Sequence, residues 1–225
     1  MNQLLRATRP KQWIKNLLVF AVPLASGDLV ISSVVLKSVN AFASFTALSA
    51  ATYLINDIRD VSQDRLHPKK KTRPIASGQL SIRRAILASI VLGVAGISLP
   101  IFFGLWNLFA VLSAYVIMQA AYQLVLKNIA LIDLVVVSSG FVLRAMAGGL
   151  AAGILISPWF ITVTAASAMF IVSGKRFCEF RNHGEHGETR NSLRGYTESY
   201  LRMLWTSSMG LALSLIHISE PTRPY

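Results

Sequence analysis

Seven apolar runs alternate with polar segments along the chain, at about residues 14–31, 35–56, 84–103, 105–126, 130–152, 157–177 and 199–218. About 20 helical residues cross the hydrocarbon core of a bilayer, so each run predicts a membrane-spanning helix. The runs are too long and too uniformly apolar for barrel strands, and backbone groups in lipid must pair internally. The pattern therefore predicts an all-α, polytopic transmembrane helical bundle. Arg6, Arg9, Lys11 and Lys15 precede Leu17–Ala25 with no cleavage region before the next run, so the first run is expected to stay as a helix rather than leave as a signal peptide. Gly149 and Gly153 form a Gly-x-x-x-Gly pair that predicts close helix contact near the end of the fifth run.

The polar connections differ in kind. Those near 26–37, 100–106 and 151–158 are short and nearly uncharged, whereas 19 of the 22 Lys and Arg residues lie on the alternate set. The positive-inside rule makes that second set cytoplasmic, with the N-terminus inside and seven crossings. Composition agrees, since 53% of the 225 residues are hydrophobic and 14% charged, against about 25% charged in an ordinary soluble domain. The net charge of +12 is then a topology signal and points away from nucleic acid as a partner. Membrane lipid is the surrounding partner, the expected location is the bacterial cytoplasmic membrane, and oligomeric state is left open. The single cysteine, Cys178, excludes an internal disulfide and a cysteine metal cluster.

Three carboxylates stand out in a basic connection. Asn56-Asp57-Ile58-Arg59-Asp60-Val61-Ser62-Gln63-Asp64 spaces its aspartates three and four apart, so Asp57, Asp60 and Asp64 share one face if the second helix continues through them. Such a face suits Mg²⁺, which keeps several waters and is completed by substrate phosphates. The segment leads into Lys69-Lys70-Lys71-Thr72-Arg73-Pro74-Ile75-Ala76-Ser77-Gly78. Acids for a metal beside bases for phosphate are what a diphosphate leaving group requires. The plainer alternative is a solvated helix end whose acids pair with neighbouring bases.

These residues resemble the UbiA superfamily of intramembrane prenyltransferases, whose first aspartate-rich motif matches Asn56, Asp57, Asp60 and Asp64. The segments Arg9–Asn16, Arg73–Gly78 and Asp133–Gly149 look like its bacterial prenyl-phosphate phosphoribosyltransferase branch. The resemblance implies a UbiA-like bundle and Mg²⁺-dependent transfer of 5-phosphoribose from phosphoribosyl diphosphate to a polyprenyl phosphate such as decaprenyl phosphate. Diphosphate is released, and the product feeds cell-envelope polysaccharide synthesis. Where prenyl-diphosphate users carry a second aspartate-rich motif, this chain has Lys175-Arg176-Phe177-Cys178-Glu179. Lys175 and Arg176 could hold the donor's 5-phosphate or the lipid phosphate, or could equally be inside-positive anchors, and Glu179 could orient a base or contact a ribose hydroxyl.

In this reading Asp57, Asp60 and Asp64 are the catalytic metal ligands, while Arg73 and Lys69 neutralise diphosphate. Asn56, Lys11, Lys15, Asn16, Tyr122 and Lys127 are further substrate-site candidates. Arg144 falls mid-span, where a charge is costly and faces the bundle interior or a cavity, and Asp133 lies about 16 Å from it along the helix axis, too far for a direct pair. His183 and His186 read as solvent-facing. Two other functions fit the same features: an aromatic, quinone-precursor prenyltransferase of the same superfamily, or a non-catalytic lipid-phosphate binding or transport protein. The superfamily usually has nine helices, so seven spans predict a chain short by about two, with 1–213 the catalytic domain and 214–225 an atypical tail, foreign or out of frame.

Overall fold

The computed structural model describes residues 3–183 and 195–217, apart from the side chains of Asn128 and His183. His186, the His183 side chain and residues 218–225 of the expected tail thus lie outside the described residues. Every described element is helical. In order they are α1 (Gln3–Ala7), a 3₁₀ helix (Pro10–Phe20), α2 (Ala21–Ala25), a 3₁₀ turn (Asp28–Val30), α3 (Ser32–Arg59), α4 (Val61–Leu66) and a 3₁₀ turn (Lys70–Thr72). There follow α5 (Ile82–Phe102), α6 (Trp106–Leu124), a 3₁₀ turn (Leu126–Asn128), α7 (Ile132–Ala152), α8 (Pro158–His183) and α9 (Glu198–His217). Residues 214–217 continue the last helix.

Six of the seven expected spans are single long helices; the first is not. Residues 14–31 divide among the 3₁₀ helix, α2 and a 3₁₀ turn, with Pro10 opening the first segment and Pro23 inside α2. Proline lacks the N–H that an α-helix requires of it, so Pro23 cannot donate to the Val19 carbonyl. Among the described residues four helices are long and apolar enough to cross a membrane, α3, α5, α6 and α7. Charged residues such as Lys175, Arg176, Glu179 and Arg181 in α8, and Glu198 and Arg202 in α9, set the other two apart.

The chain divides into two compact units. The first comprises Met1–Val116 with Ala147–Ile154. Its core is α3 against α5, where Gly96 admits Leu48 so closely that a Cβ would stand 2.7 Å from Leu48 Cγ. Phe45 and Tyr115 pack edge to face at 5.1 Å. Asn16, buried, donates to Thr46 Oγ1 at 3.1 Å and ties the first segment to α3. Below them Ala7, Leu54, Ile75, Leu80 and Ala85 form one apolar cluster that anchors the basic loop. Gly148 meets the Val19 carbonyl, where a Cβ would lie 1.9 Å from the oxygen. This close approach is made by Gly148, next to the expected pair, while Gly153 (φ 78°) meets open space and ends α7 in the left-handed region.

The second unit comprises Ile117–Met146 with Leu155–Tyr225. Its principal pair is α8 with α9, around Leu134, Val172, Phe177, Phe180, Tyr196 and Leu201. Trp205 stacks on Phe170 and Phe177 at 6.0 and 5.5 Å. Gly174 opens the slot for that indole, since a Cβ there would lie 2.6 Å from Trp205 Nε1.

Candidate active site

The long second helix runs past the expected 56 to Arg59, so Asn56 and Asp57 are still helical. Asp60 is the joint (φ −93°, ψ 9°), and α4 resumes at Val61 with Asp64 in its first turn. Backbone bonds cross the joint, from Asp60 N to the Asn56 carbonyl at 2.9 Å and from Asp64 N to the Asp60 carbonyl at 2.8 Å. The three carboxylates consequently do not share one continuous helical face. Asp57 and Asp64 turn inward, each 2% exposed, and Asp60 stays half-buried with no ion pair among the described residues.

Arg73 joins the two buried carboxylates. Its Nη1 donates to Asp57 Oδ1 at 3.1 Å and to Asp64 Oδ2 at 2.6 Å. The loop that carries it is held by Ile75 in the apolar cluster, and Arg65 Nε donates to the Ala76 carbonyl at 3.2 Å. Arg9 completes the arrangement: its Nη2 donates to the same Asp57 Oδ1, and its guanidinium lies 4.8 Å from the centre of the Tyr53 ring. Arg9 holds a left-handed backbone (φ 55°, ψ 65°), which costs a non-glycine residue about 1–2 kcal/mol.

From the sequence, Arg9 is one of the basic residues before the first apolar run and part of a segment that carries the resemblance. No spacing rule links it to Asp57, which is 48 residues away. Of the other candidates in this unit, Lys11 and Lys69 are exposed, and Lys15 and Asn56 are half-buried. Asn16 is bonded inside the core to Thr46 and does not present a free amide to a phosphate. The His67 ring accepts from the amides of Lys69 and Lys70 at 3.1 and 3.3 Å, which shapes the basic loop.

The second unit holds its own polar cluster. Asp133, fully buried, accepts from Arg176 Nε at 2.7 Å and Nη2 at 3.2 Å, and from the Tyr122 hydroxyl at 2.6 Å. Arg176 Nη1 donates to Glu179 at 2.7 Å, and Lys175 Nζ lies 3.8 Å from the same carboxylate. Arg176 thus donates through Nε and both Nη atoms to Asp133 and Glu179. Lys175 is exposed. Tyr122 donates to Asp133, and Glu179 pairs with the two neighbouring bases, the orienting contact expected of it. Lys127 is half-buried in its 3₁₀ turn. Arg144 is buried, as its mid-span place predicts, and donates to the Gly140 carbonyl of its own helix at 2.6 Å.

Comparison with known proteins bears on these arrangements. The family model described as the UbiA prenyltransferase family matches residues 17–183. The chain is 44% identical over 209 residues to a decaprenyl-phosphate phosphoribosyltransferase of Corynebacterium glutamicum, covering 90% of this chain and 62% of that protein. It is 44% identical over 214 residues to the protein of the same name from Mycolicibacterium smegmatis, covering 92% and 67%. The chain therefore spans roughly two thirds of the length of these curated relatives. Among solved structures, a UbiA homolog from Archaeoglobus fulgidus bound to GPP and Mg²⁺ is similar with a TM-score of 0.78 at 20% identity, covering 98% of this chain and 80% of that one.

Proposed function

Because the chain belongs to the UbiA prenyltransferase family, we propose that it serves the reaction named for its curated relatives: transfer of 5-phosphoribose from phosphoribosyl diphosphate to a polyprenyl phosphate, with release of diphosphate. The observation that carries this reading is the bridging of buried Asp57 and Asp64 by Arg73, with Arg9 on the same carboxylate. Two carboxylate oxygens lie within 3.1 Å of one cationic nitrogen, so the fold already builds a place where positive charge is held by two acids.

No group of three or more His, Cys, Asp or Glu side chains forms a metal cage among the described residues. That donor set still fits Mg²⁺, which is usually held by one or two carboxylates plus water and substrate phosphates rather than by an all-protein cage. Asp57 and Asp64 would hold the ion, with Asp60 half-buried at the joint between them in the chain. Magnesium bound there supplies neutralising charge for the departing diphosphate.

The chain's own residues supply the rest. Arg73, released from one carboxylate, and Lys69 on the adjoining turn neutralise phosphate oxygens as the bond from ribose C1 to diphosphate breaks. An oxygen of the lipid phosphate forms the new bond to C1. That acceptor is already anionic near neutral pH, so no general base is needed, in keeping with the absence of a histidine from the described cluster. On the proposed topology this chemistry faces the cytoplasm.

The deciding assay combines the purified chain, Mg²⁺, phosphoribosyl diphosphate and a polyprenyl phosphate, with the lipid product weighed by mass spectrometry. A polyprenyl phosphoribosyl phosphate is the expected product. Prenylation of an aromatic acceptor from geranyl diphosphate, with none from phosphoribosyl diphosphate, would overturn the reading in favour of aromatic prenyl transfer. Absence of diphosphate release from any donor would overturn it in favour of a binding protein.

A further inference from the structure

The loop that carries Arg73 is assembled around one side chain. Pro68 biases the residue before it toward extended backbone, and His67 accordingly closes α4 at φ −81° and ψ 131°. Pro68 itself has no N–H to offer. The next three amides, those of Lys69, Lys70 and Lys71, all turn back to His67. The first two donate to its ring Nδ1 at 3.1 and 3.3 Å, and the third donates to its carbonyl at 3.2 Å.

From this staple onward the turn closes on itself. Thr72 Oγ1 donates to the Lys69 carbonyl at 3.0 Å, and Arg73 N donates to the Lys70 carbonyl at 3.0 Å. Arg73 then reaches back nine residues to Asp64 Oδ2 at 2.6 Å, while His67 N donates to the Asp64 carbonyl at 3.3 Å. Asp64, His67 and Arg73 are thus tied into one closed loop, with the three exposed lysines between the last two.

Lys69, Lys70, Lys71 and Arg73 put four cations within five residues. Like charges at that spacing spread a free loop apart, and ordering such a loop when a ligand arrives subtracts from affinity. Three amides held by one residue remove that freedom beforehand. Resting on the transferase reading above, we propose that His67 is a positioning residue for the donor: by gathering the amides of three successive lysines it holds Lys69 and Arg73 ready for the donor's diphosphate, without touching the substrate itself.

The ring acts here as an acceptor, so its proton sits on Nε2 and Nδ1 is open to the amides. That is the task an Asn or Asp side chain performs when it captures backbone amides a few residues on. Asn Oδ1 is bonded to Cγ, as histidine Nδ1 is, so His67→Asn keeps an acceptor at the same branch. His67→Leu keeps the branch and offers no acceptor. The pair therefore separates capture of the amides from the bulk of the side chain.

The test compares the full chain with these two variants in detergent, by hydrogen exchange without metal and by calorimetric titration of inorganic diphosphate in the presence of Mg²⁺. In His67→Leu the amides of residues 69–71 should exchange at least about tenfold faster, and diphosphate should bind about tenfold more weakly. His67→Asn should restore both. The KM for phosphoribosyl diphosphate should follow the same pattern, with the KM for polyprenyl phosphate and the thermal unfolding temperature unmoved. Undiminished diphosphate affinity in His67→Leu, equal loss in both variants, or an equal rise in both KM values would each overturn the assignment. The two readings fail separately: turnover from phosphoribosyl diphosphate with undiminished diphosphate affinity in His67→Leu removes the positioning role alone. Diphosphate affinity that is lost with Leu and restored with Asn, without turnover of any donor, removes the transferase reading alone.

Discussion

Arg9 holds a left-handed backbone that a glycine would adopt at no cost, and its side chain reaches Asp57 while stacking on Tyr53. Arg9→Gly therefore relieves about 1 kcal/mol of strain while removing the side chain and with it the contacts to Asp57 and Tyr53. Turnover in reconstituted vesicles should fall at least about tenfold, while the Mg²⁺ concentration for half-maximal activity decreases, because Arg9 no longer competes for Asp57 Oδ1. An unchanged Mg²⁺ dependence would separate Arg9 from the metal site. The second unit offers a contrast in Asp133 and Arg176, whose side chains are 0% and 4% exposed. Asp133→Asn leaves a buried guanidinium short of its main counter-charge, a loss of about 3–5 kcal/mol, seen as lower thermal stability in detergent. The double change Asp133→Leu with Arg176→Met should recover much of that stability, and renewed activity in the double variant would show that Arg176 touches no substrate. At this scale the sequence displayed the acidic motif, the basic loop and the burial of Arg144, because charge in or beside an apolar run is conspicuous. It did not display the pairing of Arg9 with Asp57 or of Arg176 with Asp133, since both close across 43 or more residues and depend on tertiary folding.

Six long helices were legible because their apolar runs match the length of a span, and their ends moved by only a few residues. The first run is helical but divided, and hydropathy registers apolar content and not the N–H that Pro23 lacks. That missing donor has a structural use: the Val19 carbonyl is left for Gly148, whose Cα approaches it closely. Gly148→Ala would drive a methyl into the carbonyl and force α7 off the first segment, with a stability loss of about 1–3 kcal/mol or more. Gly153→Ala meets open space and loses only the left-handed backbone preference, about 1 kcal/mol. Thermal unfolding of the two variants should rank them in that order; the reverse order would show that the tight approach of Gly148 to Val19 does not limit stability. Between α6 and α7 the connection closes through Tyr196, whose hydroxyl accepts from Leu131 N at 2.6 Å where Leu131 is left-handed (φ 64°). Burial pushes the Tyr196 phenol up from its ordinary value. The folded protein then resists losing that proton, so the contribution to stability is full below about pH 10 and lost as pH rises beyond it. Tyr196→Phe should flatten the alkaline limb of the stability profile, and an unaltered limb would exclude this group as its source.

Orientation is a property of the whole chain, and the distribution of its basic residues fixes an expectation for it. Nineteen of 22 Lys and Arg residues lie on alternate connections, and helix-end charges of that asymmetry direct insertion. The chain carries its own probe, because Cys178 is the single cysteine and is exposed near the basic end of α8. A membrane-impermeant maleimide should label Cys178 in inverted vesicles and leave it unlabelled in intact cells. Leu155, 91% exposed in the short connection between α7 and α8, supplies the opposite arm: Leu155→Cys in a Cys178→Ser background should label from outside the cell. If both positions label from the same face, α8 does not cross the bilayer, and its charged C-terminal half lies along the interface instead. If the two labels appear on opposite faces with Cys178 outside, the expected orientation is inverted. The carboxylate and arginine cluster is coupled to that outcome, because the connection that carries Arg73 is one of the basic set. A soluble, multiply charged phosphoribosyl diphosphate made in the cytoplasm could not reach an outward-facing cluster unaided, so inversion would remove the proposed donor together with the topology.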